Sequence, residues 1–97
     1  MPDIASVYFR KEARLHIEHA TDWFNQRQSG LAAKFLHEID AAINYIRRNP
    51  EKVQIRYKSI RIKFLKKFSF GVHYIYQENT IYILAVFHTS QSPENWK

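Results

Sequence analysis

The hydrophobic positions of this chain change period once, after Pro50. Before it, Ala13, Ile17, Ala20 and Phe24 recur at spacings of four, three and four with Trp23 beside them. That is the stripe of an amphipathic helix running from the charged Arg10-Lys11-Glu12 to Gln28, and Leu15 is expected to widen it. Ser29-Gly30 punctuates: glycine tolerates the positive φ of a helix end, and Ser29 can cap the helix that follows. Leu31, Phe35, Ile39, Ala42 or Ile43, and Ile46 then trace a second helix to Arg48, stopped by Asn49-Pro50. Arg47 and Arg48 fall in its last turn, where the helix dipole favours cations.

Outside the helices the pattern is that of strands. Ile4 to Phe9 is rich in β-branched and aromatic residues and predicts a short opening strand. Ile60, Ile62 and Phe64 alternate with Arg61, Lys63 and Leu65, and Phe70, Val72, Tyr74 and Tyr76 alternate with Gly71, His73 and Ile75. This period of two predicts two further strands. Glu78-Asn79 makes a turn, and Ile81 to Phe87 is a strand apolar on both parities, suited to an interior position with both faces partly covered. Val53 to Tyr57 is a candidate for an additional short strand or arm.

The order strand, helix, helix, strands defines an α+β domain over residues 1–97, with a helical hairpin packed on one face of a mainly antiparallel sheet of three to four strands. If the helices cover the face bearing Ile60, Ile62 and Phe64, the opposite face collects Arg61 and Lys63 with one parity of the last strand, Tyr82, Leu84, Val86 and His88. The doubly apolar last strand does not by itself select a face. Contiguous apolar surface left open by a chain's own helices marks a binding site, so a partner segment is expected there.

Composition narrows the function. Among 97 residues, 15 Lys+Arg against 9 Asp+Glu give a net charge of +6, which favours an acidic partner, either nucleic acid or protein. A chain this short carries one two-layered core and no deep cofactor cavity. The lack of cysteine excludes disulfides, thiolate catalysis and cysteine metal sites, and suits a reducing compartment. Met1-Pro2-Asp3 is no secretory leader, and the longest strongly apolar run, Ile81 to Phe87, is too short to span a bilayer, so a cytoplasmic, non-membrane protein is expected.

Candidate chemistry concentrates in two places. Arg56, Lys58, Arg61, Lys63, Lys66 and Lys67 fall within twelve residues and interleave with Tyr57, Phe64 and Phe68. Phosphate contacts need such cations and base stacking needs such rings, but a solvated strand face or an acidic protein partner accounts for them equally. His88, at the end of the last strand, is the other candidate. Beside Arg61 and Lys63 it would serve proton transfer on RNA; otherwise it bonds and orders the tail's backbone. His16, His19 and Glu12 lie close on the first helix but offer no fourth ligand, so no metal is expected. There is no Gly-rich phosphate loop and no nucleophile elbow. Trp96 is expected to pack back onto the domain, since an indole gains most from burial.

These residues, in order, resemble the RelE/ParE superfamily of toxins from prokaryotic type II toxin–antitoxin modules, most closely its ParE-like branch of plasmid stabilisation proteins. The resemblance covers nearly the whole chain. It rests on the opening strand, Gly30-Leu31 leading to Phe35, Asn49-Pro50, Lys67-Phe68-Ser69-Phe70-Gly71-Val72, and Ile83-Leu84-Ala85-Val86-Phe87-His88 with the tail Thr89 to Trp96. That tail looks like the family's His-x-x-Arg-x-Pro-x-x-Trp ending, with Gln91 where arginine is usual. The resemblance implies a toxin neutralised by a cognate antitoxin and arresting growth when free, with a homodimer or toxin–antitoxin hetero-oligomer as possible assemblies. It implies either a non-enzymatic poison of DNA gyrase, the reading the departures favour, or a ribosome-dependent mRNA endoribonuclease. In the second case Arg61, Lys63 and His88 would be catalytic. Loss of potency through Gln91 is a third possibility, because a cation for phosphate or carboxylate is gone. Antitoxin or target contacts are expected from Arg61, Lys63, Lys66, Lys67, Leu84, Val86, His88, Gln91 and Trp96.

Overall fold

The computed structural model describes residues 4–90. Its elements, in chain order, are β1 (Ser6–Phe9), α1 (Lys11–Arg27), α2 (Leu31–Arg48), β2 (Ile55–Tyr57), β3 (Ile60–Phe64), β4 (Phe70–Gln77) and β5 (Thr80–His88). One five-stranded sheet has the order β1-β5-β4-β3-β2, antiparallel except that β1 runs parallel to β5. The expected three to four strands become five because the Val53 to Tyr57 segment supplies β2, a three-residue edge strand. β1 is shorter than its apolar run, since the N–H of Ala5 goes to the Arg47 carbonyl and Arg47 Nε donates to the Ala5 carbonyl. That exchange clips the chain start to the end of α2 before pairing with β5 begins.

The helices follow the stripes. Ala13, Ala20 and Phe24 of α1 and Phe35, Ile39, Ala42 and Ile46 of α2 are buried against Leu65, Val72, Tyr74, Ile81, Ile83 and Val86 of the sheet side. Leu15 does not widen the α1 stripe. Two residues from Ile17 at about 100° each, it points away from the core, and 40% of it is exposed. Nor does Ser29 cap α2. Gly30 occupies the cap in the left-handed region at φ 83°, and no side chain bonds the helix start.

The centre of the core is aromatic. Phe35 lies 5.0, 5.4 and 5.2 Å from the rings of Phe24, Phe68 and Phe70. The Tyr74 hydroxyl, buried with its ring, donates to the Pro50 carbonyl at 2.8 Å and pins the loop after α2 to the sheet. Glu78 and Asn79 both adopt positive φ, 50° and 62°, the geometry that joins twisted antiparallel strands through two residues.

Two features of the sheet decide the facing that the sequence leaves open, and they decide it against helices over Ile60, Ile62 and Phe64. First, β4 and β5 slip register: His73 faces Ala85 while Tyr74 faces Ile83, leaving Leu84 as an extra residue. Beyond this bulge the parity of β5 reverses, so Ile81, Ile83 and Val86 all point to the helices while Tyr82 does not. Second, the helices cover the face of Arg61 and Lys63, not that of Ile60, Ile62 and Phe64. Lys63 Nζ sits 4.4 Å over the Tyr45 ring of α2, and Lys63 pairs across to core residue Val72. β3 lies towards the sheet margin, where its cations reach past the edge of α2 and the apolar alternation no longer dictates which side is covered.

Candidate partner-binding face

The side of the sheet away from the helices is built by register. Phe64, Gly71 and Phe87 form one row; Ile62, His73 and Ala85 form the next; Ile75, Tyr82 and Tyr8 continue it. Gly71 keeps the first row tight, since a Cβ there would stand 2.7 Å from Ile62 and 3.3 Å from Phe64. Tyr8 and Tyr82 meet edge to face at 6.0 Å. Phe64 and Tyr8 are exposed, and Ile60, Ile75, Tyr82, Leu84 and Phe87 are half-buried, so apolar and aromatic surface runs across the side of β1, β5, β4 and β3 that neither helix covers. Arg56 lies 5.3 Å over the Phe64 ring and adds a cation to it.

Within this face is a cleft of about 540 Å³ between the start of α1 and the β2–β3 turn. Arg10, Glu12 and Lys58 stand on its rim, and His73, Leu84 and Phe87 line it. His73 is only 2% exposed. Its Nδ1 is 3.1 Å from the Tyr57 hydroxyl, and its ring meets Phe87 edge to face at 5.2 Å. Burial, with the neighbouring His16 adding to it, pushes the His73 imidazole down to about 4, so it is neutral at pH 7. The Tyr57 phenol is raised by burial and stays protonated. His16 reaches the same place from α1: its Nδ1 accepts the backbone N–H of Val86 at 3.1 Å, and its ring packs on Phe87 at 4.7 Å. β1 ends opposite Ile83, so His16 takes over the edge of β5 where a strand partner is missing.

The cations that are adjacent in sequence separate in space. Arg56 and Lys58 belong to the open face. Arg61 turns to the helix side and donates to the carbonyls of Glu51 and Val53 at 3.1 and 2.7 Å, holding the loop that leads to β2. Lys63 and Lys66 line a smaller cavity against α2, and Lys67 lines a groove beside α1. Glu38 of α2 accepts the backbone N–H groups of both Lys66 and Lys67 at 2.9 and 3.0 Å, which fixes the turn carrying them. His88 sits at the end of β5 on the α1 side. Its Nδ1 accepts the N–H of Ser90 at 3.0 Å and lies 2.7 Å from the Ser90 hydroxyl.

Of the residues expected to contact a partner, the structure therefore leaves Leu84 on the open face and buries Val86 to 3% in the core, because the bulge intervenes between them. Arg61 and Lys63 do not join Leu84. Gln91 and Trp96 lie outside the described residues. What the sequence reading missed is Tyr8, His73 and Phe87, while Tyr57 and Phe64 enter it only as rings between the cations. The alternation of Ile60, Ile62 and Phe64 is the available signal, but by itself it does not say which side of the sheet the helices cover. Among the described residues no group of three or more His, Asp or Glu side chains is placed to hold a metal ion, and no helix is long and apolar enough to cross a membrane.

Solved structures place this architecture in the ParE/RelE fold class. The chain superposes on a protein of the chromosomal ParDE toxin–antitoxin system of P. aeruginosa with a TM-score of 0.74 at 16% identity, covering 88% of this chain and 96% of that one. It superposes on a protein of the toxin–antitoxin complex RelBE2 of Mycobacterium tuberculosis with a TM-score of 0.59, also at 16% identity, covering 94% and 98%. No curated protein sequence matches the chain. The family described as ParE toxin of type II toxin-antitoxin system, parDE, matches residues 7–93. The chain belongs to that family: it is a type II toxin of the ParE/RelE group.

Proposed function

We propose that this toxin is held inactive in the cytoplasm by a cognate antitoxin seated on the open sheet face, and that the free chain poisons DNA gyrase by binding it. The observation that carries the reading is the sheet face that neither helix covers. Its rows of Tyr8, Phe64, Ile75, Tyr82 and Phe87 offer contiguous apolar surface, and Arg10, Arg56 and Lys58 stand around it. Such a face fits an extended or helical segment that carries apolar anchors and net negative charge, folding as it binds. Both structural neighbours come from toxin–antitoxin systems, which supports a partner of that kind.

A binding mode of action, rather than hydrolysis, is favoured by the state of Arg61. Its guanidinium is committed to two backbone carbonyls of its own loop and would have to release both to meet a phosphate. The ribosomal nuclease reading makes the opposite prediction, codon-positioned mRNA cleavage lost in Arg61→Ala and His88→Ala.

The test takes the protein encoded in the adjoining reading frame as the antitoxin. Phe64→Asp and Tyr82→Asp, both at partly exposed side chains, are expected to weaken binding about 10- to 100-fold in calorimetry, the cost of removing central aromatic anchors. Unchanged affinity in both variants, with circular dichroism intact, removes this face from the interface. Purified toxin should block supercoiling or trap gyrase-cleaved DNA, and inactivity at large molar excess counts against the gyrase target.

A further inference from the structure

A strongly cationic ridge runs along α2 and reaches the sheet margin at Phe64. Lys34, His37, Glu38, Ala41 and Tyr45 fall at helical spacings on one face of α2. That face meets β3 and the β3–β4 turn in two adjoining hollows that share His37 and Glu38. Lys63 and Lys66 line the first, of about 320 Å³, and Lys34 and Lys67 line the second, of about 550 Å³. Lys34, Lys66 and Lys67 are exposed and Lys63 is half-buried.

The chain carries no Asp or Glu between Glu51 and Glu78, and Glu38 is the one carboxylate lining either hollow. Its Oε1 accepts the backbone N–H groups of Lys66 at 2.9 Å and Lys67 at 3.0 Å, so it holds the turn instead of pairing with the ammonium groups. Among the described residues the one ion pair joins Arg10 to Glu12. The four lysines of the ridge therefore have no carboxylate partner, and like charges gathered on a fixed turn and a helix raise the local potential that attracts anions.

The chemistry of the ridge selects among anionic partners. Protein interfaces are rich in arginine and aromatic side chains and poor in lysine. The open sheet face has that character, with Arg10 and Arg56 beside its aromatic rows, whereas the ridge draws its charge from lysine. Single-stranded nucleic acid is held by stacking on free rings, and the rings here are engaged. Tyr45 lies under Lys63 and Phe64 under Arg56, while Phe68 packs between Phe24 and Phe35. A duplex backbone asks only for cations along its length. From Lys34 to Tyr45 this face of α2 extends about 16 Å, over which a DNA duplex carries about ten phosphate charges. We propose that the ridge of Lys34, Lys63, Lys66 and Lys67 binds the phosphate backbone of double-stranded DNA without reading its sequence. The choice of DNA over an RNA duplex rests on the gyrase reading above, since a gyrase poison works where DNA is held.

Fluorescence anisotropy tests the proposal with the purified full-length toxin and a labelled DNA duplex of about 20 base pairs, without gyrase or antitoxin. Micromolar binding is expected at about 50 mM salt, falling on a log–log plot against salt with a slope of about −3 to −4, as about four phosphate contacts require. Lys66→Gln combined with Lys67→Gln, checked by circular dichroism, is expected to weaken binding at least about tenfold and to reduce the slope by about 2. Lys11→Gln combined with Arg14→Gln removes the same charge from exposed positions of α1 and is expected to change affinity less than about threefold, with the slope kept. Equal losses in the two double variants would assign binding to net charge and overturn the proposal. Absence of binding at low salt overturns it, and so does tighter binding of an RNA duplex or of the single strand. Because the assay contains no gyrase, a toxin that binds DNA but leaves supercoiling untouched fails the gyrase reading alone. One that poisons gyrase without binding free DNA fails this proposal alone.

Discussion

Phe35→Ala is expected to destabilise the protein by about 3–5 kcal/mol, a large part of the total stability of a domain this size. Phe35 is fully buried and sits among Phe24, Phe68 and Phe70, whose rings come from α1, the β3–β4 turn and β4. Truncation removes the ring that all three pack against. Those rings are held by three different elements, so collapse into the space left would require the whole helical hairpin to move. The check is urea unfolding: the midpoint should fall steeply with the slope unchanged. A loss below about 1 kcal/mol would mean the hairpin does not pack on the sheet as described.

The second large effect is acid destabilisation through His73. Its imidazole titrates at about 4 in the folded chain against an ordinary 6.5. The cause is burial first and the charge of His16 second, with Tyr57, Arg10, Glu12 and Lys58 as the other titrating or charged groups around the same cleft. The sign follows from proton counting. Between 6.5 and 4 the unfolded chain binds a proton that the folded chain refuses, so stability is full above 6.5 and falls as pH drops towards 4. The loss amounts to about 2 kcal/mol by pH 5 and about 3 kcal/mol by pH 4. His16 acts in the same direction: burial lowers its pKa, and its Nδ1 can accept the Val86 N–H only while unprotonated. Urea midpoints from pH 7 to pH 5 should fall accordingly, and His73→Phe should flatten most of the slope. A wild-type stability constant over that range would show that His73 is not buried in neutral form.

Most of the fold is written in local periodicity. The stripe from Leu31 to Ile46 ends in Asn49-Pro50, and α2 spans Leu31–Arg48. The alternation after Pro50 and the Glu78-Asn79 turn place β3, β4 and β5 in order. What periodicity does not contain is the facing of the sheet. The bulge at Leu84 is a property of the pairing between β4 and β5, invisible along either strand alone, and it moves Val86 from the open face to the core. The alternation in β3 is legible, but at the sheet margin both of its faces meet partial cover, so hydropathy does not decide between Arg61 and Ile62. The site suffered twice from this. A run of cations close in sequence looked like one patch, whereas successive strand residues point to opposite faces and scatter Arg56, Lys63 and Lys67 among three surfaces. His73 gave no local signal, because its partner Tyr57 is sixteen residues away in another strand.

The reading that this toxin acts by binding gyrase is tested most directly by inducing the full-length chain in a bacterial host without its antitoxin. Growth is followed beside one reporter of the DNA-damage response and one of translation. The account predicts arrest with the damage response switched on and translation continuing, relieved when the antitoxin is co-expressed and relieved less when Phe64→Asp and Tyr82→Asp are introduced into the toxin. Arrest with immediate loss of translation and no damage response would contradict it and return the chain to the ribosomal nuclease reading.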